Sequence, residues 1–128
     1  MSLDSRGEPS RDAMIDTTHE RVYDKLVATA RGRQLITYTD LGKTADLDVS
    51  DRQQLDQLVK ILDRIAIADI KASRPLLVAV VVRADRGAPS KGFFDFAKQH
   101  GLMKRQDEVR FFSKELGRVY DAWAKVSP

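Results

Sequence analysis

Seven consecutive apolar residues, Leu76-Leu77-Val78-Ala79-Val80-Val81-Val82, lie between Pro75 and the punctuation Asp85-Arg86-Gly87. A run this short, rich in β-branched side chains and bounded by turn formers, predicts one buried strand. Helical material on both sides then has to cover it. The residues that follow, 83–91, place Arg83, Arg86 and Lys91 around Gly87 and Pro89. They read as an exposed basic turn or loop.

The remaining segments supply that cover. Residues 1–13 are polar and contain Gly7 and Pro9, so they are expected to form a disordered leader ahead of a single α+β domain, residues 14–128. Thr17 and Glu20 have capping-box spacing and predict the start of a first helix, with Val22, Tyr23, Leu26, Val27 and Ala30 on one face and Gly32 as its stop. Residues 35–38 are β-prone, and residues 39–47 predict a short helix capped by Thr39. Ser50 and Gln53 repeat the capping box and open a longer helix. Its stripe is Leu55, Leu58, Val59, Leu62, Ile65 and Ala66, and it ends between residues 67 and 73. After the basic loop, Gly92 and Phe93 predict a return strand, with a helix from Phe94 through His100. From Asp107 onward, Val109, Phe112, Leu116, Val119, Trp123 and Val126 step by three and four along one helical face. That face packs either on its own domain or on a second copy, as a homodimer through the C-terminal helix.

Composition removes several function classes. There is no cysteine, so thiol nucleophiles, disulfides and thiolate metal sites are excluded, and the two histidines, His19 and His100, have no second ligand in metal-binding spacing. No apolar run approaches the ~20 residues of a membrane span, and the N-terminus lacks the apolar core of a secretory signal. The expectation is a cytoplasmic protein. Neither a nucleophile elbow nor a P-loop is present, and no cofactor is implied. Asp69 with Lys71, and Asp85 and Asp95 around Lys91, are the carboxylates and lysines that a metal-dependent nuclease could use. In a chain with 32% charged residues such groupings also arise by chance, and the chain is expected not to be an enzyme.

Charge is uneven along the chain. Residues 1–70 carry 10 basic and 13 acidic groups, whereas residues 71–128 carry 12 and 6. Such asymmetry suits a face that meets an anionic partner, and equally serves solubility. The element order of short strand, small helix, tight turn, longer helix, strand and basic loop is that of a winged helix-turn-helix. In that arrangement Thr39 and Lys43 sit on the supporting helix, while Ser50, Arg52, Gln53, Gln54 and Gln57 occupy the start of the recognition helix. Arg83, Arg86 and Lys91 form the wing. These side chains can donate to phosphates or base edges. Against this, Asp46, Asp48, Asp51 and Asp56 crowd the same region, and residues 50–57 also read as a capped, solvated helix start. The function expected is non-catalytic binding of nucleic acid, double-stranded DNA favoured. The alternative is a protein-protein or self-association module using Phe93, Phe94, Phe96 and the C-terminal helix.

The stretch Ile36-Thr37-Tyr38-Thr39-Asp40-Leu41-Gly42-Lys43 resembles the T-Y-G-[DE]-[IL]-A entry to the winged-helix domain of the alkylguanine-DNA alkyltransferases and alkyltransferase-like proteins. Residues 74–87 fall where that family has P-C-H-R-V-V and a glycine turn. The resemblance implies a winged-helix fold, DNA as partner, and Arg52 near the start of the recognition helix, where the family places an arginine that enters the duplex. Leu76, Leu77 and Val78 stand in place of the cysteine, histidine and arginine, so alkyl transfer is chemically excluded.

Overall fold

The computed structural model describes residues 11–104 and 107–124, with side chains from residue 17 onward. In chain order the elements are α1 (Arg11–Arg31), β1 (Ile36–Thr37), α2 (Tyr38–Thr44), α3 (Arg52–Lys71), a 3₁₀ turn (Leu77–Val80), β2 (Val81–Val82), α4 (Lys91–Gln99) and α5 (Glu108–Ala124). The architecture is α+β, mostly helical around a sheet of two strands. Those strands run parallel, with Ile36 opposite Val81 and Thr37 opposite Val82.

Residues 1–10 of the expected leader lie outside the described residues, as does Val126, and residues 11–13 already belong to α1. The helix therefore starts before Thr17. No glycine or proline stands between residues 11 and 17 to stop it.

Residues 76–82 are buried throughout, as their composition requires. They are not one strand, however. β1 offers only two residues for pairing, so a seven-residue strand would leave most of its backbone polar groups buried without partners. Residues 77–80 coil instead. Ala79 N–H donates to the Leu76 carbonyl at 3.0 Å, Leu77 N–H to Asp69 Oδ2 at 2.9 Å, and Leu76 N–H to Glu115 Oε2 at 2.7 Å. Both carboxylates are buried, Asp69 arriving from α3 and Glu115 from α5. Arg74 Nε completes Asp69 at 3.0 Å and Arg118 completes Glu115 at 2.8 Å. The segment is thus a buried turn gripped by α1, α3 and α5, its leading amides satisfied by side chains rather than by a sheet.

The wing also differs from expectation, since no strand follows β2 among the described residues. Arg83 N–H donates to the Ala88 carbonyl and Gly87 N–H to the Arg83 carbonyl, both at 2.8 Å, with Gly87 at φ 63°. This closes the loop on itself and leaves no extended edge for a hairpin. Glycine tolerates the left-handed φ without strain. Ser90 then stands at the N-cap of α4, and Gly92-Phe93, expected as a return strand, form its first turn. Phe93, Phe94 and Ala97 are buried at the spacing of one helical face.

α5 buries Phe111, Glu115 and Val119 and packs on α1 and the 3₁₀ turn of its own domain. Phe112, Leu116, Tyr120 and Trp123 are partly buried beside that line, whereas Val109, expected in the seam, is 69% exposed.

Candidate nucleic-acid interface

α2, the turn after it and the start of α3 are built by local polar bonds. Thr37, rather than Thr39, caps α2, accepting from Asp40 N–H at 3.1 Å. This leaves Thr39 and Lys43 exposed on the outer side of the helix. At the next corner the cap of α3 is Asp51, not Ser50, and α3 begins at Arg52. Ser50 turns its hydroxyl to Asp48 Oδ1 at 2.6 Å, and its N–H donates to the same oxygen at 3.0 Å. These bonds hold the Asp48 carboxyl below its usual range. The Gln54 amide bridges the corner, donating to Asp51 Oδ2 and accepting from Asp48 N–H, each at 2.8 Å. Ser50 and Gln54 therefore shape the turn.

Thr39, Lys43, Ser50 and Gln54 are brought together along one shallow groove that also contains Asp46 and Asp48. Asp46 is paired at 3.2 Å with Arg21 of α1. Among the described residues Lys43 is the single cation lining the groove, against two carboxylates, so its floor offers little to a phosphate. Beyond the corner, the exposed face of α3 has a different character. Arg52, Gln53 and Gln57 are solvent-facing as expected, and Lys60 and Arg64 continue the same exposed side. Gln53, Gln57, Lys60 and Arg64 step by four, three and four, which places them on one stripe of a helix. Arg52, Lys60 and Arg64 form no ion pair among the described residues. Asp56 and Asp63 are the acidic groups on the adjoining stripe.

Lys60 and Arg64 lie in the middle of α3, beyond the first turns to which the winged-helix element order assigns contacts. Their spacing from Gln53 is the signal that would have found them.

The loop residues are less available than their composition suggests. Arg83 is held by Asp85 in a two-pronged pair, Nε to Oδ1 at 3.0 Å and Nη2 to Oδ2 at 2.9 Å, which keeps the Asp85 carboxyl below its usual range. Lys91 approaches Asp95 at 3.7 Å with both side chains exposed, a weak contact. Arg86 stands exposed at the loop tip. Ser90 Oγ and Tyr38 Oη lie 3.0 Å apart, anchoring the end of the loop to the first residue of α2. The loop thus joins one end of α2 and the α3 corner follows the other. A seven-residue helix is about 10 Å long, which is the separation α2 sets between the loop's anchor and the turn that leads into α3.

Of the carboxylates that a nuclease could use, Asp69 is tied to Arg74 and Leu77 N–H in the interior and Asp85 to Arg83, whereas Asp95 makes only the weak, exposed contact with Lys91. No described helix is long and apolar enough to cross a membrane. Comparison with protein-family models, with curated proteins and with solved structures finds no match to this chain.

Proposed function

We propose that the chain is a non-catalytic nucleic-acid-binding module of winged-helix-like type, with α3 as the element that meets a duplex. The observation that carries this reading is the exposed stripe of α3, where Lys60 and Arg64 follow Gln53 and Gln57 and, like Arg52 at the start of the helix beside it, stand without carboxylate partners among the described residues. Cations held by no internal partner are free to replace the counterions of a phosphate backbone, and glutamine can read a base edge. The shallow groove beside α2 contributes shape rather than charge. Arg86 reaches the backbone from the loop, in a compact turn that takes the place of a hairpin wing. The resemblance of residues 36–43 to the alkyltransferase entry motif points the same way.

The test is a fluorescence-anisotropy titration on a short DNA duplex at two salt concentrations. Four phosphate contacts, from Arg52, Lys60, Arg64 and Arg86, give a slope of about −3.6 in log affinity against log salt, a loss of about 150-fold between about 50 and 200 mM. Arg52→Glu combined with Lys60→Glu is expected to remove roughly 2 from the magnitude of that slope and to weaken binding more than about tenfold at the lower salt. Both side chains are exposed, so the fold is retained. An affinity unchanged by the double variant refutes the assignment of α3.

A further inference from the structure

A half-open cleft of about 240 Å³ separates the middle of α3 from α4, closed at one end by Tyr38 and Ser90. The geometry points to this cleft as a binding site for a small aromatic cation, a single ring bearing a protonated amine or amidine. The inference does not rest on nucleic-acid binding, since the α3 stripe lies on a different side chain set and either can fail alone.

Size and walls define the ring. The volume falls below the roughly 300–1,000 Å³ that holds a drug-sized ligand, so a single ring is enough to fill it. Tyr38, Val59, Leu62, Phe93 and Phe96 supply apolar and aromatic surface. Val59 remains 39% exposed and Phe96 is half-buried, so the cleft presents apolar area to water that a ring would cover. The Phe96 ring packs 4.3 Å from the His100 ring, tilted by 38°, so its other side forms the wall.

The polar groups define the charge. Asp63 from α3 and Asp95 from α4 line the cleft together. Partial desolvation at the cleft rim pushes the carboxyl of the exposed Asp63 upward, opposed by the weaker pull of His100. A protonated nitrogen supplies a counter-charge. Lys91 contacts Asp95 only at 3.7 Å and is 88% exposed, so a ligand can displace it at small cost. The Ser90 and Tyr38 hydroxyls and the Gln99 amide offer neutral hydrogen bonds at the rim. An anionic ring meets two carboxylates and is repelled. Aromatic faces attract a cation and add to the preference.

Benzamidine is the probe, followed by amide chemical shifts of the full chain. Saturable shifts centred on Ser90, Gly92 and Gln99 are expected, with benzoate and guanidinium producing none. Asp63→Asn and Asp95→Asn, both at exposed positions that tolerate the change, are each expected to weaken benzamidine about fivefold, the upper end for a solvent-screened ion pair. Three outcomes overturn the proposal: no saturable shift, benzoate binding as well as benzamidine, or both variants binding like the parent.

Discussion

Asp69→Ala is expected to lower the unfolding free energy by about 3 kcal/mol, read as a shift of the urea midpoint. The carboxylate is 1% exposed and serves two donors, Leu77 N–H at 2.9 Å and Arg74 Nε at 3.0 Å. Its removal strands the amide inside the core, where an unsatisfied donor costs about 1–3 kcal/mol. The guanidinium is less affected because Arg74 is 46% exposed and reaches water, which keeps the effect at the lower end of the 3–5 kcal/mol typical of a broken buried pair. For a domain whose total stability is about 5–15 kcal/mol, this one side chain holds a fifth or more of the margin. A loss under about 1 kcal/mol would mean that the 3₁₀ turn is held by its apolar contacts alone.

Gly42→Ala is the second large effect, and its sign opposes helix propensity. Gly42 is buried in α2, and a Cβ there would lie 2.7 Å from the Leu47 carbonyl oxygen and 2.9 Å from Val49 Cγ1. The first is backbone and cannot swing away. Overpacking of this kind costs about 1–3 kcal/mol, against roughly 1 kcal/mol gained by replacing glycine with alanine in a helix. Net destabilisation of up to about 2 kcal/mol is expected, with the turn pushed off α2 and α3 re-aimed. Gly117 is the internal control: it lies within α5 with nothing within 4 Å of its would-be Cβ, so alanine there should stabilise by about 0.5–1 kcal/mol. Equal shifts at the two positions in thermal or urea unfolding would contradict the close approach of α2 and its turn.

The sequence was legible where side-chain pattern and backbone demand agreed. The order α2, tight turn, α3 follows from capping residues and an apolar stripe, and four of that stripe's six members, Leu58, Leu62, Ile65 and Ala66, are buried. It was less legible where a charge is buried to serve the backbone. In α5 the core line is Phe111, Glu115 and Val119: the first two fall one residue before the expected Phe112 and Leu116, and the expected and observed lines meet at Val119. A glutamate in the middle of that line conceals it from any reading of hydrophobic period. Asp69 does the same near the end of α3. Residues 76–82 could be placed in the core but not assigned a backbone, because a short apolar run fits a buried strand and a buried turn equally well. The decisive partners, Asp69 and Glu115, lie 8 and 39 residues away from the amides they accept.

The candidate site followed the same division. The residue types of Ser50 and Gln54 suit a groove contact, yet they equally suit the corner the two side chains hold together. Arg83 is a loop cation already matched by Asp85 two residues on. Availability decides a phosphate contact as much as charge, and that comes from pairing in three dimensions.

The most direct measurement of the central claim is a map of backbone amide shifts on adding a short DNA duplex at low salt. The account predicts perturbations along residues 52–64 and at the loop around Arg86, with α1 and α5 unmoved. Shifts confined to α1 and α5, or no shifts at all, would contradict it.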